Sequence, residues 1–288
     1  MKKTHESKAQ KKQARSLTRK ELKQQIKEKK AVFLVYTTLR ILVIGFLVFS
    51  ILSGNFENAF ICLLVLILYM VPSLLQRRLN IQLPSALEIL LLIFIFAAEI
   101  LGEIQSYFVH FRYWDLILHT TSGFVCAAFG FAMVDILNKN KKIKMQLSPL
   151  YLALAAFCFS MTIGVIWEFF EFGVDTLFHK DMQKDTVIHS FASVTLDETK
   201  SNIPIYVSDI TDVTINGESL ELGGYLDIGL YDTMEDLFVN FIGAVLFSVV
   251  GFFNAKSKGK SKIASAFIPT IREEDDSSGL EGAFDEDP

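Results

Sequence analysis

Long apolar runs, separated by short polar stretches, dominate the chain. Six of these runs approach the ~20 residues that an α-helix needs to cross a bilayer. They lie at about 31–53, 56–75, 85–106, 114–137, 149–173 and 232–254. The second run is the shortest, because it ends near Pro72. The pattern predicts an all-α polytopic membrane protein with six transmembrane helices.

The long polar connector at 176–230 shows a different period. Its apolar residues alternate with polar ones on both sides of Asn216-Gly217, at Ile203, Ile205, Val207, Val213, Ile215, Leu220 and Leu222. Asn-Gly between alternating apolar residues is the strongest short signal for a β-hairpin. A lone hairpin is only marginally stable, so we expect it to pack on helix ends or pair with another chain.

Composition agrees with a membrane protein and argues against a soluble domain. Of the 288 residues 51% are hydrophobic, 26 are phenylalanine, and the mean hydropathy is +0.37. The three cysteines, Cys62, Cys126 and Cys158, lie inside apolar runs without paired spacing, which predicts neither a disulfide framework nor a thiolate metal site. The polar opening is too long for a signal peptide.

Lysine and arginine predict the orientation of the spans. Residues 1–30 hold twelve of these cations, and together with the connectors at 76–82 and 138–148 and the start of the tail they hold 23 of the 28. The positive-inside rule makes that side cytoplasmic, so both termini are expected on the cytoplasmic side of the membrane. Arg40, inside the first span, is expected to reach the interface or to pair with Glu88.

This orientation divides the chain into five parts. We expect a basic cytoplasmic arm at 1–30 that lies on anionic lipid and binds no nucleic acid, then transmembrane helices 1–5 at 31–175. An extracytoplasmic loop at 176–230 carries the hairpin, and transmembrane helix 6 follows at 231–254. The part at 255–288 is predicted to be a disordered, acidic cytoplasmic tail.

Four of the apolar runs carry polar groups near their predicted outer ends. Spacings of four residues place side chains within ~40° of each other on a helix, and a spacing of seven within about 20°. Each helix therefore offers one polar stripe, and we expect the four stripes to enclose a pocket open to the outside. The ten groups are Glu99, Glu103, Asp115, His119, Glu168, Glu171, Asp175, Asp232, Asp236 and Asn240.

Eight carboxylates and one imidazole cannot all stay charged and unpaired at low dielectric. Either several acids are neutral or a cation is bound. Hard oxygen ligands with one imidazole suit Mg²⁺, Mn²⁺, Ca²⁺ or Zn²⁺. The candidate metal ligands are Asp115, His119, Glu168 and Asp236. The candidate catalytic residues are Asp115, His119, Glu168, Glu171, Asp236 and Asn240.

Some of these groups have a simpler interpretation. Acids at the ends of spans can simply be solvated, which applies to Glu99, Asp175 and Asp232. Asp232 is also a candidate helix N-cap. Trp114 and Trp167 are interpreted as aromatic residues of the membrane interface.

Three separated motifs carry a resemblance to a known family. They are WDLILHTTSGF, WEFFEFGVD and YDTMEDLFVNFIGA. In this order they resemble the YjdF-type bacterial inner-membrane family of unknown function, over about residues 35–254, and more distantly the VanZ-like proteins linked to glycopeptide resistance. The loop at 176–230 is longer than the family pattern. The resemblance implies a multi-span protein with a polar core at Asp115, His119, Glu168, Glu171, Asp232, Asp236 and Asn240.

Three functions fit these features. The first is a metal-dependent enzyme that acts on a lipid-linked or envelope substrate. The second is a proton- or cation-coupled transporter or channel. The third is a non-catalytic envelope assembly or resistance factor whose hairpin contacts a partner. No motif of a nucleophilic hydrolase or of a zincin occurs in the sequence.

Overall fold

Six long apolar helices dominate the computed structural model of the chain, which describes residues 29–78, 81–139 and 146–271. Within these residues the candidate spans are Lys29–Leu52, Phe56–Arg78, Ser85–Ile104, Trp114–Asn138, Pro149–Phe178 and Leu230–Lys256. The predicted all-α polytopic membrane fold is confirmed. Many large apolar side chains on these helices are exposed, as expected where lipid surrounds a helix.

The helices are numbered in chain order, and two of the spans are irregular. They are α1 Lys29–Leu52, α2 Phe56–Leu68, α3 Val71–Arg78, α4 Ser85–Ile95, α5 Tyr107–His110, α6 Trp114–Lys139, α7 Pro149–Phe178, α8 Leu230–Lys256 and α9 Lys262–Ser265. The second span consists of α2 and α3, and Pro72 falls in the first turn of α3, where its missing N–H costs nothing.

The third span changes its helical type part of the way along. After α4 the chain continues as a π-helix over Phe96–Ile104, which carries both Glu99 and Glu103. Its backbone closes with a wide hydrogen bond from Gln105 N to Ile100 O at 3.0 Å. π-Helices are rare and frequently lie at functional sites, so this span departs from the regular helix that its sequence predicts.

Two compact units make up the described chain. The first takes in the chain up to Trp114, Ala128–Ala153 and the part from Val249 onward. Its core is a buried cluster from α1, α2, α4 and the π-helix: Val43, Cys62, Val65, Tyr69, Leu92 and Ile100. In this unit Arg40 donates a hydrogen bond to the Tyr36 hydroxyl at 2.6 Å and lies over the same ring.

The start of the tail is ordered, which corrects the prediction of disorder over 255–288. Helix α9 follows α8, and strand β8 (Thr270–Ile271) pairs antiparallel with β1 (Ile81–Gln82). Ala264 and Ile268 are buried. The acidic charge lies further along, and the apolar residues before it bury surface and form structure. Residues 272–288 and the basic arm up to residue 28 lie outside the described residues.

The second unit comprises Asp115–Ala127 and Leu154–Ser248, and it holds the long connector. Three antiparallel strand pairs form there: β2 (Thr186–Ile188) with β7 (Tyr225–Asp227), β3 (Phe191–Ser193) with β4 (Ile205–Val207), and β5 (Thr214–Ile215) with β6 (Glu218–Ser219). Asn216 and Gly217 both have positive φ, as a type I′ turn requires, so the predicted hairpin is confirmed. The other two pairs were not predicted.

Glycines let the helices of this unit approach closely. A Cβ at Gly243 in α8 would lie 2.1 Å from the backbone oxygen of Thr120 in α6. A Cβ at Gly123 would lie 2.3 Å from the backbone oxygen of Asn240. Only glycine fits at such distances, so these residues set the spacing between α6 and α8.

Candidate metal centre

Buried acids and one histidine from three helices of the second unit meet at one place. The first group consists of residues from α6, α7 and α8: His119, Glu168, Glu171 and Asp236. Each offers one ligand atom, and these atoms all lie within 4.8 Å of one another. A second group, Asp115, Asp232 and Asp236, meets the same criterion. Asp236 belongs to both groups.

His119 links the two groups. Its Nε2 atom lies 3.5 Å from Asp115 Oδ1 and 3.5 Å from Asp236 Oδ2. Asp115 precedes His119 by one helical turn, as its spacing predicts. Asp236 is almost completely buried, with 1% of its surface exposed. The four sequence-predicted metal ligands Asp115, His119, Glu168 and Asp236 therefore lie close together, although Asp115 and Glu168 fall in different groups.

Most of the buried carboxylate oxygens accept no hydrogen bond. These are both oxygens of Glu168, both of Asp236 and Oε2 of Glu171. Gln183 and Thr233 approach Glu168, but they make no hydrogen bond of normal geometry with it, and Gln183 Nε2 donates instead to Thr233 Oγ1 at 2.6 Å. A buried polar atom without a partner is costly, so five such oxygens in one cluster need an explanation.

The second oxygen of Glu171 has a partner that sequence reasoning missed. Trp167 Nε1 donates to Glu171 Oε1 at 2.9 Å. This bond orients the carboxylate, and Oε2 is buried without a hydrogen-bond partner. The spacing of four residues within α7 was a usable signal, because it places both side chains on one face. Trp167 is thus a positioning residue for Glu171, and its place among aromatic residues of the membrane interface stays a prediction.

The segment 182–184, which follows α7, donates backbone hydrogen bonds to acids near the end of α7 and the start of α8. Asp175 accepts hydrogen bonds from Met182 N at 2.7 Å and Gln183 N at 2.9 Å. Asp232 Oδ2 accepts one from Lys184 N at 2.8 Å. The carboxylate of Asp175 therefore fixes the backbone at Met182 and Gln183, and neither metal group contains Asp175.

The proposed N-cap role of Asp232 is wrong. Asp232 lies inside the first turn of α8, and its carboxylate accepts from Lys184. Asp227 takes the capping role instead, since its Oδ2 accepts from Tyr231 N at 2.9 Å. The sequence does not distinguish the two acids, because both stand near the predicted start of the helix.

Asn240 lies one turn further along α8 than Asp236, between two glycines. A Cβ at Gly164 would lie 2.5 Å from Asn240 Nδ2, and one at Gly123 would lie 2.8 Å from Oδ1. Its Nδ2 also contacts Met161 Sδ at 3.5 Å. The structure places Asn240 in tight helix packing, outside both metal groups of the described residues.

The residues of the two metal groups come from three of the four polar stripes that the sequence predicts, those on α6, α7 and α8. Glu99 and Glu103 belong to the first unit and to the π-helix, and neither is in a metal group of the described chain. Their predicted contribution to a common pocket stays a prediction. Two histidines outside the long helices have local partners: His110 Nδ1 lies 2.8 Å from Ser106 O and His189 Nδ1 lies 3.1 Å from Ile210 O.

The donor set suits a hard or borderline divalent cation. Carboxylate oxygens with one imidazole bind Mg²⁺, Mn²⁺ and Zn²⁺ well, whereas the free cysteines of the chain stand apart from the cluster. A cation bound by the unpartnered oxygens would offset both their missing hydrogen bonds and their mutual repulsion. The residues present therefore fit a metal ion.

Comparison with known proteins identifies the family of the chain. No curated protein and no solved structure matches the chain significantly. The family described as "Predicted membrane protein (DUF2238)" matches residues 35–257, which include most of the described spans and all residues of the two metal groups. The chain belongs to this family of predicted membrane proteins.

Proposed function

We propose that this membrane protein binds a divalent metal ion and uses it in a reaction on a lipid-linked or envelope substrate. One observation carries the proposal. Four buried residues each place a ligand atom within 4.8 Å of the others, and five of the six carboxylate oxygens of the three acids have no hydrogen-bond partner. The proposed ligands are His119, Glu168, Glu171 and Asp236, with Asp115 beside the imidazole.

The residues around the ion have separate roles in this proposal. When bound, the ion supplies Lewis-acid activation of water or of a substrate oxygen. Asp115 and Asp236 both approach His119 Nε2, so their carboxylates and the imidazole would face the same ion. Trp167 holds one oxygen of Glu171, so Glu171 Oε2 is positioned to bind the ion.

The orientation determines which substrates reach the centre. With both termini cytoplasmic in an inner membrane, the connector at 176–230 and the metal groups lie toward the outer side. Lipid-linked precursors at the outer leaflet are then the accessible class. Single cysteines introduced at Ser208 and Ser257 test this in a variant without native cysteines. An impermeant maleimide applied to intact cells should label only Ser208→Cys, and the reverse labelling pattern contradicts the orientation.

Transport of a cation or proton is the second candidate, and the irregular third span favours it. A π-helix that carries Glu99 and Glu103 interrupts that span, and interrupted helices with acids are typical of ion-coupled transporters. Under this alternative the metal groups bind the ion transiently.

Metal analysis of the full chain tests the proposal. The purified protein is treated with a chelator and titrated with Mg²⁺, Mn²⁺, Ca²⁺ and Zn²⁺ by calorimetry. We expect saturable binding of at least about one ion per chain, weakened at least about tenfold in His119→Ala and Asp236→Asn. His110→Ala and Glu235→Gln are matched controls, because both residues are exposed, and they should bind like the wild type.

Two results contradict the proposal. One is the absence of saturable binding in the wild type, and the other is equal weakening in the control variants. Reconstitution into vesicles separates the two candidate functions. Metal-dependent flux of the bound ion across a sealed vesicle favours transport, and retention of the ion with no flux favours a resident metal of an enzyme.

A further inference from the structure

Asp236 stands where two ligand groups overlap, which a single metal ion does not require. It belongs to the group with His119, Glu168 and Glu171, and also to the group with Asp115 and Asp232. Its side chain is 1% exposed, and neither oxygen has a hydrogen-bond partner. A carboxylate has two oxygens, so it can bind one ion through each.

The second group contains two carboxylates that the first group lacks, those of Asp115 and Asp232. Asp232 Oδ2 accepts from Lys184 N at 2.8 Å, and this bond orients the carboxylate. Asp115 Oδ1 lies 3.5 Å from His119 Nε2, the same ring nitrogen that lies 3.5 Å from Asp236 Oδ2. Both residues are only half-buried, so an ion can reach the second group more directly than the first.

Charge balance also favours more than one cation. Five carboxylates and one imidazole form the two groups together. When all five carboxylates are ionised, one divalent ion leaves three negative charges uncompensated in a site that is mostly buried, and a second ion leaves one. Uncompensated charge at low dielectric is strongly unfavourable.

We propose that the two groups form a dinuclear centre for divalent ions such as Mn²⁺ or Mg²⁺, with Asp236 as the bridging carboxylate. His119, Glu168 and Glu171 complete the inner site, and Asp115 and Asp232 complete the outer one. The metals of two-metal centres lie about 3.5–4 Å apart, a separation that one carboxylate bridges. This inference rests on the proposed function, because it adds a second ion to the metal site proposed there.

Loading the full chain with Mn²⁺ tests the inference. Metal content is measured by mass spectrometry, and electron paramagnetic resonance reports whether the ions are magnetically coupled. We expect about two coupled ions per chain in the wild type, as in a two-metal site. Asp232→Asn should halve the content and abolish the coupling, because its amide oxygen still accepts from Lys184 N but binds the metal weakly.

Further variants make the result specific. Asp115→Asn should behave like Asp232→Asn, and Asp236→Asn should abolish the coupling and weaken both sites. Glu235→Gln, an exposed acid next to Asp236, should keep about two coupled ions. The single ion that remains in Asp232→Asn also reports that the variant is folded.

Each other outcome overturns the inference. One uncoupled ion per wild-type chain refutes the dinuclear centre but leaves the proposed function intact. Two ions without coupling refute the bridge. Coupling that survives Asp232→Asn, or loss of both ions in both Asp232→Asn and Asp115→Asn, refutes the assignment of the outer site. No bound ion in the wild type refutes the proposed function as well.

Discussion

Replacing Gly243 with alanine tests whether the close packing of α6 and α8 holds the metal ligands in place. The new Cβ would lie 2.1 Å from Thr120 O and 2.9 Å from Phe124 N. Both are backbone atoms, so no change of rotamer relieves the overlap. Ordinary contact begins at 3.4 Å, and the helices must therefore separate by about 1.3 Å.

This separation sets the size of the expected effects. Overpacking costs about 1–3 kcal/mol, and the helical preference of alanine over glycine returns up to about 1 kcal/mol, which leaves a net loss of at most about 3 kcal/mol. Metal ligands tolerate displacements of only about 0.2 Å. Since His119 and Asp236 stand on the two helices that separate, we expect the metal affinity to fall about 10–100-fold.

The matched control is Gly173→Ala in α7, where a Cβ meets no atom within 4 Å. Thermal unfolding in detergent, followed by tryptophan fluorescence, should show a lower midpoint for Gly243→Ala and an unchanged or higher one for Gly173→Ala. Calorimetric titration measures the metal affinity of both. If Gly243→Ala unfolds and binds metal like Gly173→Ala, helix spacing does not position the ligands and the reasoning fails.

Two further predictions concern hydrogen bonds that the structure shows. Trp167→Phe removes the donor to Glu171 and should weaken metal binding about 10–100-fold in a calorimetric titration, whereas Trp114→Phe should not; equal affinities would exclude the positioning role. Hydrogen bonds from Thr199 and from backbone N–H groups hold the pKa of Asp197 below its usual range. The turn after Asp197 should therefore be fully stabilised above the usual carboxyl pKa and lose that stabilisation as the pH falls through the lower, folded value. The Thr199 amide resonance in NMR spectra should shift over that range, and a pH-independent resonance would contradict the prediction.

The six spans and the pairing of Asp115 with His119 were predictable because both follow from a helical period. A long apolar run has few alternatives in a membrane, and a spacing of four places two side chains on one face. The turn at Asn216-Gly217 was predictable for a similar reason, since few residues accept two successive positive φ angles.

The other strand pairs escaped prediction because their partners are distant in sequence. Val187 faces Leu226, and Phe191 faces Val207. The local pattern of apolar and polar residues does not show which distant strand is the partner. A strand of three residues also gives too short a pattern to be distinguished from a loop. The hydrogen bonds from the backbone N–H groups of Gln183 and Lys184 could not be predicted either. Almost every residue carries a backbone N–H, so the sequence does not indicate which of them reaches a carboxylate.

The ordered start of the tail escaped prediction because acidic charge was weighted over apolar content. Ala264 and Ile268 lie within a segment of mixed composition that is too short to span a membrane, and it was grouped with the acids that follow. The pairing of Thr270 with Gln82 needs a partner far along the chain, which composition does not reveal.

The glycines and the acids of the second unit support a single argument about the site. Gly123 and Gly243 bring α6 and α8 closer than any other residue type permits, and closer helices bring His119 and Asp236 together. Close approach by itself raises the repulsion among neighbouring carboxylates, whose mutual energy grows as their separation falls. A chain selected for stability alone would gain by separating these acids or replacing them. Packing that concentrates them where hydrogen-bond partners are absent supports the proposed cation, which the same packing would position.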